Sequence, residues 1–163
     1  MAASPDIGPN SPLAGLGYQL GFALGGALVG AAAWLLLAVP QHLINVVFAT
    51  LVGIGAGLGV GKMSKVSRST AGVVSAVVVT SVVVLVTQAI VDHAYLTWAT
   101  DNLAGAPSNP RWDGPIGAVR LALDRAAGRH GWADNASYLW WSVSLLAAGV
   151  LAWATARPSP DTN

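Results

Sequence analysis

Six side chains clustered near one end of two apolar stretches could build a site: His42, Asn45, Ser81, Gln88, Asp92 and His93. Ser81, Gln88 and Asp92 follow one another at spacings of seven and four, which puts them on one face of a helix. Suppose the stretch holding His42 and the one holding Asp92 run antiparallel about the polar segment 62–70. With equal rise, facing residues then have numbers that sum to about 132–134. Asn45 falls opposite Gln88 and His42 opposite Asp92, with His93 alongside. Two imidazoles and a carboxylate are capable of ligating a metal. An ionisable group within a membrane is a functional-site hypothesis by default. The plainer reading is hydrogen bonding between helices with the ends reached by water, and it is the one the sequence favours. No metal and no cofactor is expected.

Other chemistry finds little support. Cysteine is absent, which removes disulfides, thiolate metal sites and a cysteine nucleophile. There is no nucleophile elbow, phosphate loop or zinc-protease signature. The basic residues are too few and too scattered for a nucleic-acid footprint. His130, within Gly128-Arg-His-Gly131, reads as part of a helix C-terminal turn, where a protonated imidazole is favourable without any catalytic role.

The elements that must carry these residues are membrane helices. Only 9% of the 163 residues are charged, against about 25% in soluble domains, and 54% are apolar. The apolar residues gather into four stretches of the length a bilayer requires. The expected fold is an all-α membrane protein with four transmembrane helices, spanning 17–39, 43–61, 71–97 and 136–156. Residues 1–16 form a Pro- and Ser-rich tail, expected to be mobile, and 157–163 a short C-terminal one. The run Val73 to Val86 is β-branched, which favours a strand in water. It is too long for one strand and lacks alternation, and a lipid-embedded segment must satisfy its own backbone, so a helix is expected.

Residues 98–135 form one extramembrane connection. Within it Asp113-Gly-Pro115 suits a helix start, and Ile116, Val119 and Leu123 recur at helical spacing opposite Arg120, Asp124 and Arg125. A short amphipathic helix at the membrane surface is expected there. Trp98, Tyr138, Trp140 and Trp141 bracket this connection and read as anchors at one water–lipid interface.

Glycine supplies the most specific pattern. In the second span Gly53, Gly57 and Gly61 share one face and Gly55 and Gly59 a nearly opposite one. The first span repeats the theme, with Gly17, Gly21 and Gly25 on one side and Gly26 and Gly30 on another. Small residues four apart let helices approach closely in lipid. Helix packing through Gly21, Gly25, Gly53, Gly55, Gly57, Gly59 and Gly61, a glycine zipper, is the expected use. The alternating glycines resemble the inner helix of the rotary ATP synthase proteolipid ring. The helix that matches that family's carboxylate-bearing one has no Asp or Glu before Asp92, near its end, so that function does not carry over. Over residues 17–97, two Gly-rich helices, Lys62 at the end of the second, a short polar loop and an apolar third helix are similar to an uncharacterised group of small bacterial membrane proteins. Many of its members carry an N-terminal zinc ribbon, which residues 1–16 do not contain. The resemblance implies a bacterial plasma membrane and no known activity.

Lys62, Lys65 and Arg68 lie beside two spans with no acidic residue among them, whereas the four arginines of 98–135 are matched by four aspartates. The positive-inside rule therefore sets loop 62–70, and both termini, in the cytoplasm. Three functions follow in order of support. The first is a non-enzymatic accessory or structural subunit, packed by its Gly-rich helices against a membrane-protein partner or another copy. The second is a small pore, transporter subunit or holin-like permeabiliser using the polar stripe. The third is a membrane enzyme using His42, Asp92 and His93.

Overall fold

The computed structural model describes residues 12–41, 46–63, 69–102 and 135–156. They are helical apart from residues 39–41, 69 and 156, with no strand among them. Helix α1 runs Pro12–Ala38. A single 3-10 turn, Val46–Phe48, leads into α2, Ala49–Leu58, which continues as a π turn over Gly59–Met63. Helix α3 is Thr70–Asn102 and α4 is Asn135–Thr155. The Val-rich run is helical, inside α3. The proposed surface helix after Asp113, and both tails, lie outside the described residues except for α1's first turns.

Two helices are long and apolar enough to cross a membrane, over Gly15–Ala38 and Thr70–Tyr95, and Ala49–Lys62 and Leu139–Thr155 are shorter apolar helices.

The packing inverts the pattern of a protein folded in water. The buried residues of all four helices are mostly small: Ala23, Ala27 and Ala31 on α1, Ala49 and Ala56 on α2, Ala76 on α3, Ala148 and Ala152 on α4. Many of the large aliphatic side chains point outward, although Val52, Val83, Val84 and Val91 are buried. Val74, Val78, Val82, Val86 and Ile90 form an exposed stripe along α3, and Leu36 of α1 is 74% exposed. Buried polar side chains lie inside, five of them on α3: Ser75, Thr80, Thr87, Gln88 and Asp92. Helices that associate in lipid pack small residues because close backbone approach supplies the attraction that water would otherwise drive.

Successive helices alternate in direction. Gly26 meets Gly55, Gly30 meets Leu51 and Phe22 meets Gly59, so α1 and α2 are antiparallel. Gly53 meets Ser144 and Gly57 meets Ala148, so α2 and α4 are parallel. Val60 lies 3.1 Å from the β-carbon position of Gly72 and shares a cluster with Ala76, while Ala49 and Val52 share the other cluster with Val84 and Val91, so α2 and α3 are antiparallel.

Candidate functional site

Helix α2 is the axis of the bundle, and its two glycine faces have different neighbours. A β-carbon at Gly55 or Gly59 would run into the backbone of α1 at Gly26 or Phe22. One at Gly53, Gly57 or Gly61 would run into α4, at Ser144, at the Ala148 carbonyl 2.7 Å away, or at Thr155. Helix α4 answers with Ser144, Ala148 and Ala152, four apart and all buried, and Ala156 just past its end is buried too. That spacing is a signal the glycine search passed over because it contains no glycine. Ser144 also donates a hydrogen bond from Oγ to the Ala49 carbonyl at 2.7 Å, joining the start of α2 to α4.

The packing expected of Gly21 and Gly25, within the chain or between copies, is not made to the described residues. Among the described residues, a β-carbon at Gly17, Gly21 or Gly25 would meet nothing within 4 Å. The glycines that seat α1 on α2 are Gly26 and Gly30. A helix can present only one of two such rows to a given neighbour, and the other row meets none of the described residues.

The polar cluster is only partly described. His42 and Asn45, and so their placement opposite Asp92 and Gln88, lie outside the described residues. Gln88 and Asp92 are each 1% exposed, where solvated ends were expected. The bond between them runs along α3, Gln88 Nε2 donating to Asp92 Oδ1 at 2.8 Å one turn on. Ser81 is half-buried and bonds back to the Val77 carbonyl at 2.9 Å, so it does not join them. His93 is half-buried, and its carbonyl accepts from Thr97 Oγ1. Among the described residues no three His, Asp or Glu side chains converge as a metal would need.

Two further polar links went unforeseen. Gln19 Nε2 donates to Ser69 Oγ at 3.0 Å, tying α1 to the start of α3. Ser69 Oγ in turn accepts from the Gly72 N–H at 3.1 Å and so caps α3. Ser69, a favoured N-cap residue just ahead of the apolar run, was the available signal.

Of the aromatic residues, Trp98 lies in the last turns of α3 with its ring 6.0 Å from that of Tyr95. Trp140 is half-buried near the start of α4, at the same end of the bundle. Trp141 departs from a purely interfacial role, because it packs against the inner cluster around Trp34. The side chain of Tyr138 lies outside the described residues.

No family model, no curated protein and no solved structure matches the chain.

Proposed function

We propose that the chain is a four-span protein of the bacterial plasma membrane and a non-enzymatic accessory or structural subunit, held against a partner through the open glycine row of α1. The row itself carries this reading. Every other described glycine of α1 and α2 beyond Gly15 stands where a neighbouring backbone leaves no room for a β-carbon, whereas Gly17, Gly21 and Gly25 have the same spacing and no neighbour within 4 Å among the described residues. Glycine weakens a helix by about 1 kcal/mol relative to alanine, and lipid does not call for it. Beside the row, Gly17, Tyr18, Gly21 and Phe22 line a groove of ≈ 510 Å³.

Four spans are supported by the alternating helix directions together with apolar side chains facing out from all four helices. In this reading the termini and the 62–70 loop are cytoplasmic, the basic residues of that loop being the supporting feature. Purification in mild detergent tests the assignment. Wild type should elute larger than a monomer, with a second copy or a partner protein, and Gly21→Leu should elute as a monomer with unchanged helicity. A wild-type chain that purifies alone and monomeric would remove the basis of the proposal.

A second reading, a small pore or transporter subunit, is favoured by the inward polar residues Thr80, Thr87, Gln88 and Asp92 of α3. Ion flux into liposomes, altered by Asp92→Asn, would be its signature.

A further inference from the structure

Two buried polar groups at one depth of the bundle lack hydrogen-bond partners. Trp34 is fully buried on α1, and its indole Nε1 has no acceptor. Gln88, on α3, has no donor for its Oε1. Helices α1 and α3 run parallel and are pinned in register by the Gln19–Ser69 bond, with Gln19 Nε2 also 3.4 Å from the β-carbon position of Gly72. Fifteen residues further along both, at equal rise, Trp34 comes level with residues 84–87. Trp34 shares one apolar cluster with Val84 and Val91, the buried valines on either side of Gln88.

The two orphans are a donor and an acceptor, and they do not bond to each other. The carboxamide cannot turn over to relieve its oxygen, because Nε2 is committed to the Asp92 carboxylate and rotation would set oxygen against oxygen. A buried unsatisfied polar group is costly, which is why nearly all such groups have partners. A bare cation would serve Gln88 Oε1 and leave the indole N–H unserved; an apolar guest would serve neither. The chemistry that serves both is an oxygen that accepts one hydrogen bond and donates another.

We propose that a water-sized hydroxylic guest is bound between Trp34 and Gln88, accepting from the indole Nε1–H and donating to Gln88 Oε1, beside the Gln88–Asp92 bond. Buried waters in proteins hold this kind of position, with two to four polar partners each. The guest makes the interior of this bundle end a hydrated site next to a carboxylate, independent of what docks on the glycine row of α1.

The test is nuclear magnetic resonance of ¹⁵N-indole-labelled protein in deuterated detergent, reading magnetisation transfer from water to each indole N–H. The Trp34 signal is the one missing from Trp34→Phe. Wild type should show transfer from a bound water at Trp34, and Gln88→Met, which removes the guest's acceptor, should abolish it while the other indole signals stay in place. Absence of transfer at Trp34 in the wild type overturns the proposal without recourse to any variant. So does transfer that persists unchanged in a folded Gln88→Met protein.

Discussion

Gly26 and Gly55 face each other backbone to backbone, so that a β-carbon placed on either would collide with the carbonyl of the other. The contact leaves no flexible side chain to move aside, and relief requires the two helices to separate. Gly55→Ala should therefore lower the melting temperature in detergent, and Gly55→Leu should prevent the bundle from forming. Overpacking of this kind costs about 1–3 kcal/mol or more. Ile54→Leu, on the neighbouring exposed position, should melt like wild type. Equal melting of Gly55→Ala and wild type would mean that α1 and α2 are further apart than described.

The opposite face of α2 gives a graded expectation. At Gly57 a β-carbon would meet the Ala148 carbonyl at 2.7 Å and Leu151 Cβ at 2.8 Å, so Gly57→Leu should displace α4. Ser144→Ala removes one buried hydrogen bond and no volume to speak of, and should cost about 1 kcal/mol. Thermal melts of the two variants should rank Gly57→Leu well below Ser144→Ala. The reverse ranking would indicate that the Ser144–Ala49 bond, and not close approach, holds α4 in place.

How much of this was legible depends on what the residues encode. Glycines four apart declare a face, so the two faces of α2 could be read directly from Gly53 to Gly61. The same rule could not say which row of α1 turns inward, because Gly21 and Gly25 have the spacing of Gly26 and Gly30, and the choice is made by α2. In α3 the difficulty was that valine surrounds the helix: Val74 is exposed and Val84 buried although the two are chemically identical. The small and polar residues Ser75, Ala76 and Thr80 mark the inner side, and a search for apolar faces ignores them. Gln88 and Asp92 were recognisable as a pair one turn apart, but their burial depends on that same choice of side. The ends of the second span carry a 3-10 turn before α2 and a π turn after it, which simple periodicity does not encode.

Removal of the Asp92 carboxylate should expose the worth of its bond to Gln88. Asp92→Ala leaves Gln88 Nε2 buried with its acceptor gone, a loss of about 1–3 kcal/mol. Asp92→Asn retains a carbonyl oxygen at the same position and should lose less. Chemical denaturation in detergent distinguishes them. Identical midpoints for the two variants would show that the Nε2–Oδ1 bond contributes nothing.

Orientation is open to a direct assay. A reporter active only outside the cytoplasm should be active when fused near Ser108 and silent when fused near Lys65. The opposite pattern would set the basic loop outside and move Gln88 and Asp92 to the cytoplasmic end. Activity at both fusions would contradict an odd number of spans between them and with it the crossing of α3.

Gly25 and Gly26 are adjacent in the chain and should respond to the same substitution with opposite sign. At Gly26 a β-carbon meets the backbone of α2, so Gly26→Ala should destabilise the protein. At Gly25 a β-carbon meets nothing within 4 Å. Gly25→Ala therefore gains the helix preference of alanine, about 1 kcal/mol, without a clash. That gain should appear in a harsh detergent, in which the chain is held as a monomer. In a mild detergent or in nanodiscs, where a partner helix sits on the Gly17–Gly21–Gly25 row, the added methyl lies in the contact and the gain should vanish or reverse. Melting temperatures of wild type, Gly25→Ala and Gly26→Ala in both media provide the measurement. If Gly25→Ala stabilises equally in both, no helix rests on that row, and the docking face assigned to α1 is wrong even though its packing on α2 stands.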